Sequence, residues 1–248
     1  GIIPHKYLQQ CIIPIFKKDN KAKAENYRPV SLTSHIIKIF ERVLRVNIIE
    51  YIESSNILSD EQYGFRQGRS CMSQLINHYE NLITILEENT NADSLYLDMS
   101  KAFDKVDHSI LLKKMKAMGI RGKLHKWLTA FLKNREQYVL VDGHKSTVEK
   151  VLSGVPQGTV LGPLMFILYI NDITKYIRNC YIKIFADDSK IVKAINSLED
   201  RELFSKDIQA VSEWAVSNKM ELNRLKYQLL QYGKDEDLKM DYDIDEYT

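Results

Sequence analysis

The sequence predicts an α+β fold, and three observations carry that expectation. Stretches with the 3.6-residue period of helices and with the two-residue period of strands follow one another without a regular βαβ rhythm. Two alternating segments fold back about short polar pairs, Asp142-Gly143 and Asp187-Asp188, as hairpins do. Finally, 44% of the 248 residues are hydrophobic, enough for a substantial core in one large domain or two small ones.

The elements follow in order. Tyr7–Phe16 reads as extended, and Lys17–Pro29 as a polar loop with Lys17, Lys18, Lys21 and Lys23. Apolar residues from Ile36 to Ile49 recur at helical spacing, which predicts a helix over Ser34–Ile52 with Ser34 as its N-cap. A Gly- and Arg-rich loop, Tyr63–Ser70, leads into an amphipathic helix over Met72–Glu88, and Ser94–Met99 looks like a buried strand. Helices are expected over Ser109–Met118 and Leu124–Phe131, then a hairpin over Glu136–Val151 and a helix from Pro163 to Ile173. A second hairpin (Tyr181–Ala194), a helix (Leu203–Ala215) and a strand (Lys226–Tyr232) complete the series.

The formal charge is +2, yet Gly233–Thr248 alone contains seven Asp/Glu against two Lys, so the rest of the chain is near +7. A basic body suits a phosphate backbone, although charge alone is explained as well by ordinary solubility. The acidic tail, residues 234–248, is expected to be disordered. Cys11, Cys71 and Cys180 have no C-x-x-C spacing, which indicates neither a zinc knuckle nor a disulfide framework and suits a reducing compartment. The strongest apolar run, Val160–Ile170, is too short for a membrane span and no signal peptide is recognisable, so the expectation is a soluble intracellular protein with no membrane partner. The absence of a starting Met, with strand pattern almost from the first residue, suggests an excerpt of a longer chain.

Two acidic sites end apolar strands: Leu95-Tyr96-Leu97-Asp98 and Ile184-Phe185-Ala186-Asp187-Asp188. Neighbouring carboxylates are costly to bury unless a cation compensates them, and hard oxygen ligands suit Mg²⁺. Alone, the Asp187-Asp188 doublet is equally ordinary turn chemistry. The histidines are scattered without an H-E-x-x-H pattern, and no serine lies in a G-x-S-x-G elbow, so no rival catalytic centre stands out.

Read in order, six segments are more specific: YRPVSLTS (27–34), YGFRQGRS (63–70), LDMSKAFDKVDH (97–108), SGVPQGTVLGPLMFILYINDI (153–173), FADDS (185–189) and NRLK (223–226). Together they resemble the reverse transcriptase domain of non-LTR (LINE-like) retrotransposons, with group II intron reverse transcriptases as more distant relatives. The resemblance spans about Ile12 to Gly233. It implies a right-hand polymerase fold over residues 1–233, with fingers over about 1–91 and a palm over about 92–233; the thumb that normally follows the palm in this family is expected to be missing here. It also implies RNA-directed DNA synthesis with two Mg²⁺ ions, for which Mn²⁺ can substitute, and, as partners, an RNA template, a DNA primer and deoxynucleoside triphosphates.

The resemblance further implies that Asp98, Asp187 and Asp188 are the catalytic carboxylates and metal ligands, with the Met99 carbonyl as a further ligand. Phe103 matches the family's steric gate against a 2′-hydroxyl. Arg66 and Arg69 match the loop that grips the triphosphate, a task suited to bidentate guanidinium groups. Gln157 and Gly158 match the turn near the nucleotide sugar and template base, and Lys226 matches a late-palm lysine near the primer end, although Leu225 and Tyr227 depart from the family's usual neighbours. Asp104 and Asp107 read as helix caps or partners of Lys101 and Lys105. Lys38 and Arg42 could meet template phosphates, but a solvated helix face explains them as well. An endonuclease, common in such elements, is expected to be missing from this stretch, and how they integrate implies the nucleus. Two alternatives stay open: a truncated nucleic-acid-binding remnant without catalysis, and an RNA-dependent RNA polymerase.

Overall fold

The computed structural model describes residues 3–88, 91–239 and 242. In chain order its elements begin with β1 (Gln9–Phe16), β2 (Tyr27–Leu32), α1 (His35–Ser54), α2 (Cys71–Glu88), β3 (Asn91–Leu97), the one-turn α3 (Ala102–Lys105), α4 (His108–Ala117) and α5 (Gly122–Lys133). They continue with β4 (Glu136–Val141), the two-residue strands β5 (His144–Lys145) and β6 (Glu149–Lys150), α6 (Gly162–Ile170), β7 (Tyr181–Phe185), β8 (Asp188–Ala194), α7 (Leu198–Ser217) and β9 (Gln228–Gly233). This is a mixed helix-and-strand fold. No helix among the described residues is long and apolar enough to cross a membrane. The chain divides into two units interleaved in sequence, Gly1–Ile57 with Phe103–Tyr169 and Leu58–Ala102 with Ile170–Thr248.

In the first unit the sheet runs β2-β1-β4-β5, with β6 also pairing β4. The polar segment read as a loop ends in β2, which pairs antiparallel with β1 so that Pro29 faces Pro14. Pro29 masks the strand pattern in the sequence, yet on an edge strand its missing N–H breaks no ladder. The parallel pairing of β1 with β4 joins Gln9–Ile12 to Glu136–Val139, a contact that no local pattern announces. Helix α5 buries Trp127, Leu128, Phe131 and Leu132 on one side, with Trp127 stacked on Phe131 and tilted against Phe40 of α1. Helix α6 is apolar on all sides and its residues from Leu164 onward are at most 2% exposed, as expected of a helix buried all round. Glu41 of α1, itself fully buried, serves the start of α6: its Oε2 accepts from Val160 N at 2.8 Å and Leu161 N at 2.9 Å. Those N–H groups have no partner inside the helix and favour an anion.

In the second unit the sheet is antiparallel throughout, in the order β7-β8-β3-β9. Leu82 and Ile85 of α2 pack on Ala92 and Val192. Helix α7 starts earlier than its hydrophobic period suggests because Ser197 caps it, accepting from Asp200 N. Where the sequence suggests a disordered tail, Glu236–Leu238 forms a 3₁₀ turn and Tyr242 is buried edge-on against Phe204, its hydroxyl donating to Asp93. An aromatic anchor inside an acidic run explains the difference; residues 240, 241 and 243–248 lie outside the described residues.

Candidate active site

The three singled-out carboxylates come together in the second unit through strand register. β3 and β8 are adjacent and antiparallel with Leu97 opposite Ser189, so Asp98 and Asp188 are the next residues outward on neighbouring strands. Asp187 lies beside them in the two-residue turn Ala186-Asp187 that joins β7 to β8. Ala186 adopts φ 55°, a conformation that costs an L-residue roughly 1–2 kcal/mol.

The electrostatics are those of crowded carboxylates. Burial pushes Asp187 above the usual carboxylate range, its own backbone N–H opposes this, and the charges of Asp188 and Asp98 add to the rise. Asp188 presents an exposed side chain, yet partial desolvation and the Asp98 charge raise it too. Two lysines oppose this charge: Lys190 acts on Asp188, and Lys226 Nζ lies 2.7 Å from Asp98 Oδ2. The segment carrying Lys226 is bound to the end of β3, since Asn223 N donates to Asp98 O at 2.8 Å and Ser100 N to Glu221 O at 2.7 Å. These two bonds flank the Met99–Leu222 bridge and use the backbone of Asp98 and Ser100, not that of Met99. Asn223 also reaches Asp98 with its side chain at 3.4 Å.

Among the described residues, no group of three or more His, Cys, Asp or Glu side chains is arranged to hold a metal ion. The donor set nevertheless fits a hard divalent cation in chemistry: all of it is carboxylate oxygen, and Asp187 and Asp188 are each raised by desolvation and by neighbouring carboxylate charge.

Arg66 and Arg69 belong to the same unit. Arg66 Nη1 donates to Ser59 O at 2.7 Å, and Arg69 binds Asp60 through its carbonyl and carboxylate while lying over the Tyr63 ring. Phe103, Gln157 and Gly158 belong to the first unit. There Phe103 stacks on Phe166 with ring centroids 4.3 Å apart. Gln157 Nε2 donates to Asp104 Oδ1 at 3.0 Å, and its carbonyl accepts from Ser31 N at 2.8 Å. Gly158 has φ +95° and lies so close to β2 that a Cβ would meet Ser31 O at 3.0 Å. Asp107 caps α4 through Ser109 N and Ile110 N, as its spacing suggests. The contacts of Asn223 and Glu41 escape a reading of the sequence because each acts on partners far away in the chain. Only the run NRLK pointed at Asn223's neighbourhood.

This mixed fold is shared with solved telomerases. Apo telomerase from Candida tropicalis, truncated of its C-terminal domain, superposes with a TM-score of 0.66 at 11% identity, over 94% of this chain and 52% of that one, a likeness of fold alone. The family described as reverse transcriptase (RNA-dependent DNA polymerase) matches residues 15–241, and the chain belongs to it. The probable RNA-directed DNA polymerase from transposon X-element of Drosophila melanogaster is 36% identical over 183 residues, 71% of this chain and 20% of that protein. The RNA-directed DNA polymerase from mobile element jockey, also of Drosophila melanogaster, is 28% identical over 232 residues, 90% of this chain and 25% of its own length. Group II intron-encoded protein LtrA of Lactococcus lactis is 27% identical over 66% of this chain and 25% of its own. The domain is thus related to reverse transcriptases of non-LTR retrotransposons and group II introns, and it spans about a fifth to a quarter of these relatives.

Proposed function

We propose that the chain is an RNA-directed DNA polymerase of a non-LTR retrotransposon, acting in the nucleus to extend a primer 3′-hydroxyl with deoxynucleotides along an RNA template. The observation that carries this reading is the convergence of Asp98, Asp187 and Asp188 on adjacent strands beside Lys226. Fingers over about 1–91 and a palm over about 92–233 would present the duplex to these groups. Two Mg²⁺ ions, or Mn²⁺ in their place, held by Asp98, Asp187, Asp188 and the Met99 carbonyl would supply hydroxyl activation and charge neutralisation.

The chain's own groups would do the rest. Arg66 and Arg69 would exchange their contacts within the loop for triphosphate oxygens, and Lys226 would balance carboxylate charge before meeting the primer end or triphosphate. Gln157 and Gly158 would shape the floor under sugar and template base, and Phe103, held flat by Phe166, would leave no room for a 2′-hydroxyl. The charge distribution supports nucleic acid as the partner. Residues 101–135 contain ten Lys/Arg against two Asp, and on α5 exposed Lys123, Lys126 and Lys133 line the side opposite its buried face.

The test is primer extension on poly(rA)/oligo(dT) with Mg²⁺, offering dTTP or UTP. The expected result is extension with dTTP at least about 100-fold faster than with UTP, a preference that Phe103→Val narrows by about 10-fold or more. Equal use of UTP would point to an RNA polymerase instead. A second reading, a nucleic-acid-binding remnant without catalysis, draws on the lack of a three-ligand group among the described residues and on the internal bonds of Arg66 and Arg69. No extension, with duplex binding intact, would favour it.

A further inference from the structure

The geometry points to Gln62 as a positioning residue that ties the arginine-bearing loop to the hairpin carrying Asp187, so that the two are set by one side-chain clamp. The inference rests on the polymerase reading of the Asp98, Asp187 and Asp188 site. Gln62 is 1% exposed, and its Oε1 accepts from Gly64 N at 2.7 Å and from Ala186 N at 3.1 Å. Both partners are N–H donors, so the carboxamide oxygen, not its nitrogen, must face them. Ala186 directly precedes Asp187 and holds the left-handed conformation that lets the turn form, and Gln62 binds its amide.

The backbone around Gln62 reinforces the tie. Ile184 N donates to Glu61 O at 2.9 Å and Tyr63 N to Ile184 O at 2.8 Å, so the loop lies parallel along β7. A Cβ on Gly64 would meet Ala186 N at 2.4 Å, which no side chain tolerates, so the approach is set by glycine. Beyond it the Tyr63 ring lies near both Arg69 and Lys183, which pair with the consecutive acids Asp60 and Glu61. Arg66 is fixed to this same stretch through Ser59 O. A displacement of the loop and a displacement of the Asp187 turn are therefore the same displacement.

One feature of Gln62 argues against a role in stability alone. Its Nε2 is buried with no hydrogen-bond partner among the described residues, a costly arrangement for a side chain whose only task is to fill space. An aliphatic residue would fill the volume without that cost but would lose the oxygen that joins Gly64 to Ala186.

The test uses the full chain with poly(rA)/oligo(dT) and two variants: Gln62→Met, which keeps volume and removes the acceptor, and Gly64→Ala, which keeps Gln62 and forces the loop away. Mn²⁺ binding is read from the EPR signal of the free ion, kcat and KM for dTTP from extension, duplex affinity from fluorescence anisotropy and folding from thermal melts. The expected result is a loss of Mn²⁺ affinity and of kcat by about 10–100-fold in both variants, the range for residues that orient metal ligands. Duplex affinity should stay within about two-fold and melting should remain cooperative. Mn²⁺ affinity and kcat within about two-fold of the unaltered chain in a folded variant would overturn the proposal. So would failure of both variants to fold, which would mark Gln62 as a stability residue. If the unaltered chain itself takes up no Mn²⁺ and extends no primer, the polymerase reading fails instead, a result distinct from either.

Discussion

Asp187 and His78 show one rule acting on groups of opposite charge: burial disfavours whichever form is ionised. It raises Asp187, and it lowers the imidazole of His78 to about 4, with Lys190 and Lys183 adding repulsion. His78 is therefore neutral in the fold at neutral pH, its Nε2 3.3 Å from the Tyr96 hydroxyl. In the unfolded chain the same ring takes a proton near pH 6.5, so stability present above that pH is lost as the pH falls through about 4. The urea midpoint should drop between pH 7 and pH 5, and His78→Gln should remove part of that slope, with His108, also lowered chiefly by burial, contributing to the remainder. An unchanged slope in the variant would contradict this account of His78. Asp98, Asp187 and Asp188 stood out in the sequence because a carboxylate ending an apolar strand conflicts with its surroundings and because each falls in a family motif. Gln62 and Asn223 did not stand out, since an amide whose partner lies far away in the chain disturbs no pattern.

Among the elements, helices and hairpins with strong local periods were legible, and long-range pairings were not. Helix α2 and the β7–β8 hairpin lie close to where the hydrophobic spacing puts them, although the turn falls at Ala186-Asp187 and not on the Asp187-Asp188 pair itself. β2 was hidden by Pro29, and the parallel joining of β1 to β4 spans more than a hundred residues. The capping of α6 by Glu41 is of the same long-range kind. Removing that carboxylate in Glu41→Ala leaves Val160 N and Leu161 N without their acceptor and deprives buried Arg135, itself lowered to about 10 by desolvation, of a countercharge. The variant should lose about 3 kcal/mol in urea denaturation. Glu41→Gln, which keeps an oxygen acceptor, should lose less; equal losses would assign the role to charge alone.

At the scale of the whole molecule, each unit is assembled from segments far apart in sequence, and the motif order alone could not show which segments share a unit. Phe103, Gln157 and Gly158 fall in one, and Asp98, Arg66, Arg69, Asp187, Asp188 and Lys226 in the other. The family, by contrast, was fully legible, because its six motifs are local strings whose order survives any uncertainty about packing. The most direct test of the central claim is primer extension on poly(rA)/oligo(dT) with Mg²⁺ and dTTP by the chain and by its Asp187→Ala variant, with duplex affinity measured on both. The account predicts synthesis by the chain, a loss of about 1,000-fold or more in the variant and nearly unchanged duplex binding. Synthesis retained by Asp187→Ala would contradict it.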